Sequence, residues 1–119
     1  MTSIGVDIIE IERVESAIER LGEQFLKRIY TEAEIKAFQY KLLSPATVFA
    51  AKEAVMKLLG TGTKGISWRE IEILPDDNGK PLVKLYGRAT NKAAELNLKE
   101  FSVSLSDSKH HAVAVAIGV

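Results

Sequence analysis

The stretch FAAKEAVMKLLGTG (49–62) constrains the fold most, because it predicts a largely apolar helix that needs a surface to bury it. Ser44 and Pro45 precede this helix as an N-cap and a favourable first residue, and Gly60 is most simply its C-cap. The stripe expected to be buried consists of Val48, Ala51, Val55, Leu58 and Leu59. The adjoining face carries Phe49, Lys52, Glu53, Met56 and Lys57. Three charges therefore lie on one face of an apolar helix, beside a glycine-rich loop.

Alternating apolar and polar residues predict short strands elsewhere in the chain. These strands cover residues 3–11, 68–74, 82–86, 101–108 and 112–119. Further helices are predicted from Ile11 to Leu21, from the Thr31–Glu34 capping box to about Leu42, and over residues 88–97. The second and third strands should form a hairpin, and the last two should pair across SKHH. The chain is most simply a single domain over residues 1–119, of the α+β class, with a mainly antiparallel sheet packed against helices.

Sixteen basic and sixteen acidic residues give a net charge of zero, so overall charge indicates neither a nucleic acid nor a membrane as partner. No run approaches the ~18 consecutive apolar residues of a membrane span, and no signal peptide is visible, which makes the cytoplasm the expected location. The absence of cysteine excludes disulfides, thiolate metal sites and a cysteine nucleophile. Residues 27–64 are locally basic, so a phosphate or an acidic protein is expected to dock there.

Two carboxylates are the first candidates for chemistry. Asp7 is out of place in a strand, so either the strand ends near it or its carboxylate has a partner; it is a metal ligand, a base or a cap for the following helix. Glu53 and Lys57 are one helical turn apart, a spacing also typical of a surface ion pair. Two carboxylates, a lysine and a flexible loop are nevertheless the groups that hold Mg²⁺ against a pyrophosphate, provided that they meet in the fold.

Other motifs indicate less. The glycines of GTGTKG (60–65) follow their helix, whereas a phosphate loop precedes one, although exposed N–H groups there would still suit an anion. His110 and His111 lie in a predicted turn and are expected to be solvated. A serine hydrolase is unsupported, because the chain has no nucleophile elbow and its alternating serines form the polar side of a strand: Ser102, Ser104 and Ser106.

Four motifs in order, GVDIIEIER (5–13), FAAKEAVMKLLGTG, NGKP (78–81) and SLSDSKHHAVAVA (104–116), resemble the small bacterial holo-[acyl-carrier-protein] synthases over nearly the whole chain. The resemblance implies the 4′-phosphopantetheinyl transferase fold and transfer of phosphopantetheine from coenzyme A to a serine of apo acyl carrier protein, releasing adenosine 3′,5′-bisphosphate. It implies Asp7 and Glu53 as Mg²⁺ ligands and Lys57 as a cation that neutralises the pyrophosphate. The residues implied to lie along coenzyme A are Lys52, Lys57, Gly60, Thr61, Gly62 and Ser106.

The resemblance also implies partners. The acidic carrier protein is expected to dock on Arg13, Arg20, Phe25, Lys27 and Arg28. A homotrimer with active sites at the subunit interfaces is implied too, and the alternation of small and branched residues in the last strand suits edge-to-edge packing.

Two positions depart from the family pattern. Val48 stands where a basic residue is usual, and Asp107 stands where a histidine is usual. Asp107 accepts the serine proton, adds a metal ligand, or caps the DSKHH turn. The alternatives to an enzyme are a non-catalytic module that binds coenzyme A or carrier protein, and a purely structural domain in which Asp7 and Glu53 do not act together.

Overall fold

The chain is described by a computed structural model that covers residues 2–62 and 64–119. Its elements follow in the order β1 (Ser3–Glu10), α1 (Ile11–Leu21), α2 (Glu23–Ile29), α3 (Glu32–Gln39), α4 (Pro45–Leu59), a 3₁₀ helix (Trp68–Glu70), β2 (Ile71–Pro75), β3 (Pro81–Leu85), α5 (Gly87–Glu95), β4 (Phe101–Asp107) and β5 (His111–Gly118). Among the described residues, no helix has the length and apolar character needed to cross a membrane.

The strands form two antiparallel sheets. Three strands pair in the order β1-β5-β4, and β2 pairs with β3 alone. The α+β class, antiparallel pairing and both predicted hairpins are confirmed, and within the described residues the strands divide into two sheets, because β2–β3 pairs with no strand of the three-stranded sheet. The register aligns Asp7 with Ala114 and Leu105 with the same alanine, so β5 lies in the middle.

Helix α4 packs across one face of the three-stranded sheet, and small residues allow the approach. Ala112, Ala114 and Ala116 of β5 are buried on this face. On β1, a Cβ added to Gly5 would lie 2.0 Å from the carbonyl oxygen of Ala54, so strand and helix backbones are in close contact there. Because side chains alternate along a strand, residues two apart share a face, and the side chain next to Gly5 on this buried face is Asp7.

The other face of the sheet has no covering element among the described residues, and we call it the outer sheet face. It carries the branched residues Ile4, Val6, Ile8, Val113, Val115 and Ile117, with Ser102, Ser104 and Ser106 beside them. The expectation of edge-to-edge packing through the last strand is therefore wrong. Strand β5 is paired on both sides, and its branched residues project from a face instead.

Helix boundaries follow local capping. Thr31 and Glu34 form the predicted capping box, with Glu34 accepting from the Thr31 N–H at 2.8 Å, and α1 and α4 begin and end as predicted. The strand predicted over 68–74 is shorter, because Ser67 and Glu70 form a second capping box that starts the 3₁₀ helix. Helix α2 was not predicted: its seven residues have no side-chain cap to mark them.

Candidate active site

Strand β1 and helix α4 bring Asp7, Glu53 and Lys57 together. Asp7 is only 8% exposed, and the Lys57 ammonium donates to its Oδ1 at 2.8 Å and to the carbonyl of Val6 at 3.1 Å. The strand therefore continues through Asp7 because its carboxylate has a partner, which was one of the two sequence alternatives. Lys57 forms this salt bridge to Asp7 rather than the surface pair with Glu53 that helical spacing allowed.

The two carboxylates influence each other. Glu53 is half-buried, and its pKa is raised first by that burial and then by the negative charge of Asp7, with Lys57 acting in the opposite direction. The pKa of Lys57 is raised by its hydrogen bond to Asp7. Oδ2 of Asp7 is buried and has no hydrogen-bond partner among the described residues. A buried carboxylate oxygen without a partner is costly, so this pair is suited to receive a cation.

The residues present fit the Mg²⁺ that the family implies. The described residues contain no group of three or more His, Cys, Asp or Glu side chains that would form a closed metal site. Mg²⁺ does not need one, because it usually keeps several waters and is held by one or two carboxylates together with substrate phosphates. Asp7, with its unpartnered oxygen, and the adjacent Glu53 supply that number of protein ligands.

A cavity of about 660 Å³ opens beside these carboxylates. It is lined by Asp7 and Glu53, by the expected docking residues Arg13, Arg20 and Phe25, and by Phe49 and His111 among others. Anionic groups on a substrate would meet arginines at one side and a metal-binding pair at the other. The cavity is open to solvent, as a site that receives a macromolecule must be.

The remaining docking candidates lie outside this cavity. Lys27 is exposed on α2 and forms a salt bridge of 3.6 Å with Glu23, and Arg28 is exposed beside it. Lys27 lines a neighbouring cavity together with Lys36 and Arg69. The four basic candidates thus lie on α1 and α2, two at the carboxylate cavity and two outside it, and we call them the basic region.

Lys52 is not where the resemblance implied. Its side chain is 0% exposed, and its ammonium pairs with Glu34 at 2.7 Å and donates to the carbonyls of Ile29 at 2.8 Å and Trp68 at 3.1 Å. All three ammonium hydrogens have acceptors, so none remains for coenzyme A. The expectation that Lys52 lies along the coenzyme is therefore corrected: a lysine that helical spacing assigned to the face adjoining the buried stripe of α4 is inside the protein.

The segment Gly60–Thr61–Gly62 follows α4 as a left-handed cap. Gly60 has φ 75°, and its N–H and that of Thr61 donate to the carbonyls of Lys57 and Met56. The Thr61 hydroxyl donates to the carbonyl of Gly62. The N–H groups of Gly60 and Thr61 are bonded to carbonyls at the end of α4, so they do not support the alternative of an anion nest.

Ser106 and Asp107 lie in a different cavity, of about 750 Å³, between β4, the segment before α4 and the β2–β3 turn. Asp107 pairs with Ala112, so it is two strands away from β1, about 10 Å at the usual strand spacing. The hairpin turn is held by Ser108, whose Oγ accepts from the His111 N–H at 3.3 Å, and no hydrogen bond to the Asp107 side chain is found in the described residues. Within one chain, the structure does not bring these two residues to Asp7 and Glu53.

Several residues that line the carboxylate cavity or bind Lys52 were not identified from the sequence. His111, expected only to be solvated, is exposed but also lines the carboxylate cavity, because the register places it opposite Glu10. Phe49 and Val14 line the same cavity and carry no sequence signal that separates them from ordinary apolar residues. The buried partner of Lys52, Glu34, was recognised only as a capping residue.

Comparison with known proteins identifies the family of this chain. A sequence model of the 4′-phosphopantetheinyl transferase superfamily matches residues 3–116. The holo-[acyl-carrier-protein] synthase of Herpetosiphon aurantiacus is 44% identical, with 100% of this chain and 99% of that protein covered, and that of Alkaliphilus metalliredigens is 47% identical over 96% and 95%. The chain belongs to the 4′-phosphopantetheinyl transferase superfamily.

Solved structures lead to the same fold. The Helicobacter pylori holo-[acyl-carrier-protein] synthase in complex with coenzyme A matches with a TM-score of 0.86 at 33% identity, covering 98% of this chain and 99% of that one. The holo-[acyl-carrier-protein] synthase from Neisseria meningitidis matches with a TM-score of 0.86 at 31% identity, covering 98% and 97%. The 4′-phosphopantetheinyl transferase fold expected from the sequence is therefore confirmed.

Proposed function

We propose that this chain is a holo-[acyl-carrier-protein] synthase that transfers the 4′-phosphopantetheine group of coenzyme A to a serine of apo acyl carrier protein. The serine oxygen forms a bond to the phosphorus that carries the pantetheine, the pyrophosphate P–O bond breaks, and adenosine 3′,5′-bisphosphate leaves. The observation that carries the proposal is the meeting of Asp7, Glu53 and Lys57 beside a cavity lined by Arg13 and Arg20. The lysine and a cation held by the carboxylates would stabilise the charge of a pyrophosphate, and the arginines would attract an acidic protein.

Asp7 and Glu53 would hold the metal, and Mg²⁺ bound there supplies positive charge to the pyrophosphate. Lys57 would give a second cation, since more than half of its side chain is exposed and its ammonium is already at the carboxylates. Its raised pKa keeps it protonated at neutral pH, as this role requires. Gly60, Thr61 and Gly62 follow directly and would border the coenzyme.

The proton of the attacking serine requires an acceptor, and we assign this role to Asp107, with Ser106 at the coenzyme. Ser108 holds the turn, which leaves the Asp107 carboxylate exposed and available. Because it is two strands from Asp7 in one chain, this assignment requires a second copy of the chain to bring its β4 end to the carboxylates.

A homotrimer would provide that copy. The outer sheet face supports association, because its branched residues have no covering element in the described part of the chain, and contiguous apolar surface of this kind commonly marks an interface. Subunits meeting through these faces, rather than through strand edges, would form active sites from two chains. We also propose that the protein is cytoplasmic and that it acts in fatty acid synthesis.

Mass spectrometry of apo acyl carrier protein tests the function directly. After incubation with the protein, coenzyme A and Mg²⁺, the carrier should gain the mass of one phosphopantetheine, and omission of coenzyme A is the control. Binding of coenzyme A or carrier without a gain in mass would favour the second candidate, a non-catalytic binding module of the same fold. Neither binding nor transfer would leave only the structural domain.

A further inference from the structure

Lys52 is a buried charge that the proposed reaction does not use. Both Lys52 and Glu34 are 0% exposed, and the salt bridge between them measures 2.7 Å. Glu34 is fixed in turn by the backbone, since it accepts from the N–H groups of Thr31 at 2.8 Å and Ile73 at 2.7 Å. The ammonium is therefore held in one position inside the fold, with every hydrogen directed at an acceptor.

The two carbonyls that it binds belong to α2, which precedes α4 in the chain, and to the 3₁₀ helix, which follows it. Ile29 is the last residue of α2, where carbonyls have no partner within the helix and the helix dipole is negative. Trp68 is the first residue of the 3₁₀ helix. One ammonium on α4 thus joins the end of α2 to the 3₁₀ helix.

An aromatic stack connects both elements to the carboxylate cavity, which Phe25 of α2 lines directly and Trp68 reaches only through Phe49. The ring of Trp68 stacks on Phe49 with centroids 4.7 Å apart, and Phe49 stacks on Phe25 of α2 at 6.4 Å. Phe25 and Phe49 line the cavity with Glu53, the residue that follows Lys52. The Lys52 ammonium therefore binds the backbone at both ends of the stack: that of α2 at the Phe25 end and that of Trp68 at the other end.

Stability alone is a poor reason for such a pair. Taking both charges out of water costs about as much as their attraction returns, so apolar residues of similar volume often serve equally well. What an apolar residue does not provide is direction: three hydrogen bonds at fixed angles determine where α2 and Trp68 lie relative to α4.

We propose that Lys52 is a positioning residue that fixes α2 and the Phe25–Phe49–Trp68 stack relative to Glu53, so that the carrier protein docks at the correct distance from the metal-binding carboxylates. The carrier-protein part rests on the proposed function. The placement of the aromatic stack does not, and it is measurable in the protein alone.

Three variants separate the ammonium from the charge pair: Lys52→Met, Glu34→Gln, and the double variant. Glu34→Gln keeps an acceptor oxygen for Lys52, but its amide NH₂ then faces a backbone N–H, and two donors cannot bond to each other. The double variant has the same defect. These two chains therefore differ only in the ammonium of Lys52, which in Glu34→Gln lacks its counter-charge. Leu98→Ala, which truncates a buried side chain near α5, is a further control for general destabilisation.

Acrylamide quenching of tryptophan fluorescence is the substrate-free readout, since Trp68 is the chain's single tryptophan. Lys52→Met and the double variant should be quenched more than Glu34→Gln, which keeps the ammonium, and Leu98→Ala should resemble the wild type. In steady-state transfer, the Lys52 variants should raise KM for apo carrier about tenfold, as loss of one important interface contact does, with the Kd of coenzyme A nearly unchanged.

Several results would overturn the inference. Quenching and carrier KM in the double variant equal to those of Glu34→Gln would do so. Failure of both Lys52 variants to fold, while both controls fold, would make Lys52 purely structural. If the wild type transfers nothing, the proposed function fails, and the quenching comparison still decides whether Lys52 positions the stack.

Discussion

At the scale of single residues, Asp7 has one carboxylate oxygen bonded to Lys57 and another, next to Glu53, that is buried with no hydrogen-bond partner among the described residues. Replacing Asp7 or Glu53 by Ala should lower turnover roughly 10²–10³-fold, because one preorganised group that stabilises charge is lost. Stopped turnover assays over a range of Mg²⁺ concentrations measure this. Glu95→Ala removes a surface carboxylate on α5 and should leave turnover unchanged. A Glu53→Ala enzyme with normal activity and metal dependence would show that the site is elsewhere.

Asp107 permits a second residue-scale prediction. If its carboxylate accepts the serine proton, Asp107→Asn should lower kcat strongly while the Kd of coenzyme A changes little, because the shape is kept and the basic oxygen is lost. If it is a metal ligand, the same change should raise the Mg²⁺ concentration needed for half-maximal rate. Ser108→Ala is the matched control: it removes the hydroxyl that holds the turn, so it shows how much a change in the turn alone lowers kcat. Full activity of Asp107→Asn at ordinary Mg²⁺ would exclude both roles.

Single residues also mark the limit of sequence reasoning in this chain. The capping residues Thr31 and Ser44 were readable because their bonds are local. The burial of Lys52 was not, because its partner Glu34 is eighteen positions away and fulfils an ordinary capping pattern of its own. Helical spacing gives the face on which a lysine lies, but not what the fold places against that face.

At the scale of elements, the contact between β1 and α4 determines whether Asp7 reaches Glu53. Gly5→Ala would place a methyl group 2.0 Å from a backbone oxygen of Ala54, and should reduce the free energy of unfolding by about 3 kcal/mol, since overpacking against backbone is poorly relieved. Denaturant unfolding measures this. Gly60→Asn should cost no more than about 1 kcal/mol, because asparagine tolerates the left-handed conformation at that cap. Equal losses in the two variants would contradict the close approach.

The basic region on α1 and α2 supports a prediction about salt. Raising ionic strength should increase KM for carrier protein more than the Kd of coenzyme A, because exposed charges are screened while partly buried ones are less so. Arg20→Ala should flatten this salt dependence, whereas Arg88→Ala, on α5 and bound to Glu70, should not. A carrier KM that does not depend on salt would argue against docking on this surface.

Element types were easier to predict than their arrangement. Alternation of apolar and polar residues identified each strand approximately. A hairpin has the same alternation whether it joins a neighbouring sheet or stands alone, so the division into two sheets was not predictable. The short α2 was missed although it carries three docking candidates, Phe25, Lys27 and Arg28, since a helix of seven residues without a side-chain cap resembles a loop in sequence.

At the scale of the whole molecule, the outer sheet face should hold copies of the chain together. Val6→Glu should give a monomer by light scattering and should abolish transfer, because a buried unpaired charge at an interface is costly. Leu82→Glu on β3 is the control, since the two side chains are almost equally exposed in the single chain, at 53% and 51%. An assembled Val6→Glu protein, or a fully active wild-type monomer at micromolar concentration, would contradict the interface.

The strand order has a consequence for how the molecule is made. Strand β1 bonds only to β5 within its sheet, and Asp7 is aligned with Ala114 near the other end of the chain. During synthesis, β1 therefore leaves the ribosome well before the strand that pairs with it has been translated. Contacts so distant in sequence form slowly, because a long loop must close first. Until β5 is made, β1 lacks the strand that holds it in the sheet, so a nascent polypeptide should have neither a stably placed Asp7–Glu53 pair nor the apolar face through which finished copies would associate.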